Sequence, residues 1–160
     1  MAVLEIRKLP DPVLRRKAKR VSKIDDSIQR LIDDMIDTMR ANNGIGLAAP
    51  QVGVPLRVAV IEMPEEEPVA LINPVVLKRE GEQLLGEACL SFPGYHGEIK
   101  RALTVKVKAQ DRQGREIRLK GEDLLAQVLE HETDHLNGTL YLDHLESPEA
   151  LHKVEAAQQT

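Results

Sequence analysis

The sequence has no tryptophan, one phenylalanine, two tyrosines and one cysteine among its 160 residues. Each scarcity excludes something. So few aromatic rings make no base-stacking platform for single-stranded nucleic acid. A lone cysteine, Cys89, rules out an internal disulfide and leaves its thiol to be a buried side chain, a reactive group or a metal ligand. Neither sign of charge dominates: 22 Lys and Arg stand against 26 Asp and Glu, a net charge of −4. With the two signs mixed along most of the chain, no strong field for nucleic acid is expected. The local exception is RKLPDPVLRRKAKR, residues 7–20, which reads as a solvated surface arm. No apolar run approaches the ~20 residues that cross a bilayer, and the first residues lack the apolar core and cleavage site of a secretory signal. The expectation is a cytoplasmic protein with no membrane and no DNA partner.

What is present is the material of one ordinary domain, residues 1–160, with 42% hydrophobic and 30% charged residues. Ile28, Leu31, Ile32, Met35, Ile36 and Met39 recur at helical spacing and predict a long helix over about residues 25–41, ended by Asn42, Asn43 and Gly44. Val-, Ile- and Leu-rich segments at 55–62 and 67–88 predict strands. Val105 and Val107 alternate with lysines before the turn at 111–114, which predicts a hairpin with one wet face. A second helix is expected from about Glu122 to Leu136, with acidic residues in its first turn and Asn137-Gly138 as its stop. Ser147-Pro148-Glu149 reads as the start of a short final helix. The fold class is α+β: antiparallel strands around a central helix, with a long N-terminal helix and a short C-terminal one.

The central helix carries QVLEHETDHLNG, residues 127–138. His131 and His135 at i, i+4 emerge one turn apart on one face and can bind a single metal ion. Glu132 is one position round, where its carboxylate can reach a water at the metal without being a ligand, as in H-E-x-x-H hydrolases. A catalytic metal of this kind needs a third protein ligand and an open position. Cys89, in GEACLSFPG, is the candidate. A third segment, NGIGLAAPQVGVP at residues 43–55, combines Gly44 and Gly46, which let backbone approach a ligand, with the neutral amide donor of Gln51.

In this order, GIGLAAPQVG, EACLS and HETDH resemble the motifs of the peptide deformylases, over at least residues 43–138. The resemblance implies an enzyme that removes the formyl group from the N-terminal formyl-methionine of nascent chains, releasing formate. It implies that Cys89, His131 and His135 hold the metal, that Glu132 is the general acid/base, and that Gln51 with the backbone N–H of Leu90 binds the formyl oxygen. Asp134 fits the family's HExDH pattern and is expected to support a ligand. Ile45 and Val128 are expected to line an apolar methionine pocket. The family's usual middle motif is Glu-Gly-Cys-Leu-Ser, so Ala88 is a departure that bears on substrate fit: strained if the position needs positive φ, crowding the groove if it is extended.

Two His and one Cys suit zinc by softness, whereas the resemblance implies Fe(II), with nickel, cobalt or zinc as substitutes. Two other readings use the same residues: a zinc peptidase acting on ordinary peptide bonds, and an inactive binding module stapled by its metal. Cys89 and the GIGLAAPQ loop argue against the first, and intact Glu132 and Gln51 against the second. The tail, residues 147–160, has Lys153 as its only cation. It is expected to pack on its own domain through Leu151 and Val154, leaving any ribosome contact weak or dependent on Arg15 to Arg20.

Overall fold

Asp25 starts the first helix by accepting the backbone N–H groups of Ser27 and Ile28, at 3.0 and 3.2 Å, so that two of the helix's orphan donors are satisfied. That helix, α1, is Asp26–Ala41, in a computed structural model that describes residues 2–154. Its periodic apolar face, Ile28, Ile32, Met35 and Met39, is buried. Each such side chain contributes about 1.5–3 kcal/mol by leaving water.

Eight strands follow: β1 Gly46–Ala48, β2 Val58–Ile61, β3 Val69–Glu80, β4 Gln83–Cys89, β5 Phe92–Arg101, β6 Thr104–Gln110, β7 Glu116–Glu122 and β8 Leu151–Lys153. They make a five-stranded sheet in the order β1-β2-β3-β6-β7 and a three-stranded sheet in the order β4-β5-β8. Every neighbouring pair is antiparallel. The second helix, α2, is Leu124–Leu136.

The larger sheet is buried on two sides where it matters. Val58 and Val60 of β2 pack with α1. Ile61, Leu71, Val105 and Val107 pack with Ala126, Val128 and Leu129 of α2. This explains why VAVI is apolar without alternation, since a strand covered on both faces has no wet side. The β6–β7 hairpin is covered by α2 on one face and alternates as expected, Lys106 paired with Lys120 and Val107 with Leu119. Gly121 lets β7 run close to α2, because a Cβ there would meet Leu125 and Leu129. Among the described residues no helix is long and apolar enough to cross a membrane.

Three expectations need correction, and one strand lies outside them. The short C-terminal helix is a single 3-10 turn, Pro148–Ala150, followed by β8. Ser147 and Pro148 do supply helix-start punctuation, but Leu151 joins the apolar cluster of Cys89, Ile99 and Tyr141 and draws the chain into the sheet. Residues 155–160, including Glu155, lie outside the described residues. The acidic first turn of α2 is also absent: Glu122 ends β7 and Asp123 is the N-cap, at φ 52 and without a side-chain cap bond. The segment 92–101, interrupted by Pro93, Gly94 and Gly97, carries no strand signal in its sequence, yet it forms β5. Finally, residues 7–20 keep their Lys and Arg side chains exposed, as expected of a solvated surface, but they are docked and not an arm: Val13, Leu14 and Ala18 are buried, and Arg15 pairs with Asp143 at 2.6 Å.

Candidate metal centre

Cys89 ends β4, and Leu90 and Ser91 turn the chain into β5 so tightly that Cys89 pairs with Phe92. This turn points the sulfur at α2. Cys89 Sγ accepts the Ser91 N–H at 3.4 Å and lies 3.3 Å from His135 Nε2, which is 3.1 Å from His131 Nε2. The three donor atoms all fall within 4.8 Å of one another. Tetrahedral ligands at the usual zinc bond lengths stand roughly 3.3–3.6 Å apart, so the set is close to the size one ion needs. Lone pairs from a sulfur and two ring nitrogens aimed at one point do not satisfy each other, whereas a cation satisfies all three. The ligands also come from different layers: Cys89 from the three-stranded sheet, the histidines from the helix packed on the five-stranded one.

Glu132 is 3% exposed, and its Oε1 has no hydrogen-bond partner among the described residues. Burial pushes its carboxyl up to about 7 against the pull of the His131 charge, a value suited to moving protons near neutrality. Gly46 lies against it, and a Cβ at that position would clash with Glu132 Oε2. That glycine therefore makes room for the carboxylate as well as lining the cavity.

Gln51 is held with its amide the right way round. Its Oε1 accepts the Ala48 N–H at 3.0 Å, which leaves Nε2 to donate to Ser91 Oγ at 3.2 Å and toward Cys89 Sγ at 3.6 Å. The NH2 group therefore faces the sulfur and the cavity.

That cavity, about 670 Å3, is lined by Ile45, Gly46, Gln51, Ala88, Leu90, Val128, His131 and Glu132, and also by Tyr95, Leu124 and Val154. All four residues expected at the substrate, Ile45, Gly46, Ala88 and Val128, are on its wall. Ala88 sits at an irregularity in the β4–β5 register and is not among the positive-φ residues. Its methyl is unstrained and narrows the groove.

The support for the ligands differs from the sequence expectation. Asp134 does not touch a ligand: its Oδ2 accepts from Arg101 Nη1 at 2.6 Å and meets His144 Nε2 at 2.8 Å. The group that orients His131 is Glu87, whose Oε1 meets His131 Nδ1. Arg101 in turn grips both Glu87 oxygens, at 2.5 and 3.0 Å. Burial would raise the Glu87 carboxyl, but the hydrogen bonds from His131 and Arg101 prevail and hold it at about 2. A carboxylate on one ring nitrogen fixes the tautomer and leaves the other free to bind a metal. Glu87 had a signal, its place inside EACLS; Arg101 had none.

The polypeptide deformylase family profile matches residues 3–150. Among curated relatives, the peptide deformylase of Dehalococcoides mccartyi is 56% identical over 155 residues, which cover 96% of this chain and 93% of that one. Among solved structures, a peptide deformylase from Legionella pneumophila superposes with a TM-score of 0.89 at 46% identity, covering 93% of this chain and 89% of its own. The Synechococcus elongatus enzyme in complex with actinonin gives 0.89 at 43% identity, covering 92% and 81%.

Proposed function

Because this chain belongs to the polypeptide deformylase family, metal-dependent hydrolases that remove the N-formyl group from nascent peptides, we propose the following division of labour among its residues. Cys89, His131 and His135 hold one divalent ion, which is Fe(II) in the cell and is replaceable by nickel, cobalt or zinc. When bound, the ion supplies the acidity that makes water a nucleophile at neutral pH. Glu132 takes the proton of the attacking water and delivers it to the leaving amine. Gln51 Nε2 and the Leu90 N–H receive the negative charge that develops on the formyl oxygen, worth roughly 3 kcal/mol per donor in comparable sites. Ile45 and Val128 seat the methionine side chain, and Gly46 and Ala88 border the groove. Glu87, Arg101 and Asp134 act at one remove by fixing His131. The whole chain works as one catalytic domain in the cytoplasm, and its contact with the ribosome is weak.

The observation that carries this assignment is the meeting of a sulfur and two ring nitrogens beside a buried carboxylate, whose Oε1 has no hydrogen-bond partner among the described residues, and an amide anchored with its NH2 toward them. A formyl carbon bears hydrogen where an internal peptide carries a Cα, so a site closed around these groups favours formamides. Release of formate from a formyl-Met peptide, with acetyl-Met peptide as control, tests it after anaerobic loading with each metal. Turnover of the formyl peptide alone is expected. Equal turnover of both peptides, or none with any metal, would sink the assignment.

A further inference from the structure

Val154 lines the cavity although it lies beyond every motif that builds the metal centre. Strand pairing brings it there. Leu151 packs beside Cys89, Ile99 and Tyr141. β8 then pairs with β5 through Gly97↔Leu151, His96↔His152 and Tyr95↔Lys153. The Val154 N–H donates to Gly94 O at 2.9 Å, so the tail is held in register as far as Val154 itself.

The same pairings give its distance from the chemistry. Cys89 on β4 is opposite Phe92 on β5, Gly94 is two residues further, and β8 is the next strand over. The β4–β5 register is irregular between Glu87 and Cys89, so the lateral step carries the estimate: two strand spacings of about 4.8 Å place Val154 on the order of 10 Å from Cys89. An extended peptide with its formyl group at Glu132 comes level with Val154 at about its third or fourth residue. Apolar surface waits there: Tyr95, stacked on Phe92, and Leu124 on the α2 wall, 41% exposed, line the same cavity as Val154.

We propose that β8 is part of the substrate site and that Val154 is a specificity-determining residue, favouring an apolar side chain at the third or fourth position of the formylated peptide. This rests on the assignment of the cavity as the deformylase site. The wild type should prefer formyl-Met-Ala-Leu-Leu to formyl-Met-Ala-Asp-Asp. Val154→Asp should cut that preference about five- to tenfold, mainly through KM, the size of effect one apolar contact gives. Val154→Lys should shift selectivity toward the acidic peptide, a change that a merely loosened tail does not produce. The proposal is overturned if both variants keep the wild-type selectivity, or if formyl-Met-Ala loses as much in kcat/KM as the longer peptides. Glu132→Ala, run alongside, separates the two levels: turnover that survives it overturns the assignment of the site, whatever the tail variants do.

Discussion

At the scale of single residues the centre divides into groups that would touch the ion and groups that hold them, and substitutions should separate the two. Glu132→Ala should retain metal and lose nearly all turnover, because the carboxylate moves a proton and is not counted among the three ligands. Cys89→Ala should lose both together. Elemental analysis beside kinetics checks this, and metal loss in the Glu132 variant would reverse the roles. Glu87→Gln should weaken metal affinity about 10- to 100-fold, since His131 loses the carboxylate that fixes its ring. A chelator competition titration measures it, and wild-type affinity would show that Glu87 is only packing. Much of this centre was legible in the chain: His131, Glu132 and His135 follow from helical spacing, and Cys89 from the need for a third ligand. The Glu87–Arg101–Asp134 network was not, because its members come from β4, β5 and α2 and share no local pattern. Asp134 sits in a motif but reaches the ligands only through Arg101 and Glu87, which is visible only once β5 is placed.

At the scale of elements, legibility follows how local the determining contacts are. α1 is specified within itself by its cap and apolar face, and the β6–β7 hairpin by alternation and a turn. β5 contains Pro93, Gly94 and Gly97 and reads as a break, yet it is a ten-residue strand because β4 and β8 flank it on both sides. β8 has only three residues, too few for any period to be read. Tertiary packing decided it against the helix-start residues before it. The cap of α1 offers a test at this scale. Asp25→Ala removes an acceptor for two backbone N–H groups and should lower Tm by roughly 2–4 °C without changing kcat/KM. A thermal melt beside the formate assay shows both. A loss of activity with unchanged Tm would mean that the helix end communicates with the site.

At the scale of the molecule the proposed ion belongs to neither sheet alone. Chelation should therefore lower Tm by on the order of 10 °C, as removal of a tightly bound ligand does. The melting temperature of Cys89→Ala should be insensitive to chelator. A wild-type melt that ignores chelation would mean the two layers hold each other without the ion. The sulfur and the His135 nitrogen are 46 positions apart in the chain, and each is delivered by its own layer. An ion held there would be the pin of a clasp whose two leaves are the sheets, beside the Glu87–His131 and Arg101–Asp134 contacts that also cross it, and oxidation of one atom, Cys89 Sγ, would draw it. A molecule that lost its pin would lose more than its chemistry: the leaves would be held less firmly, and damage at the sulfur would become readier exposure of the backbone to proteases.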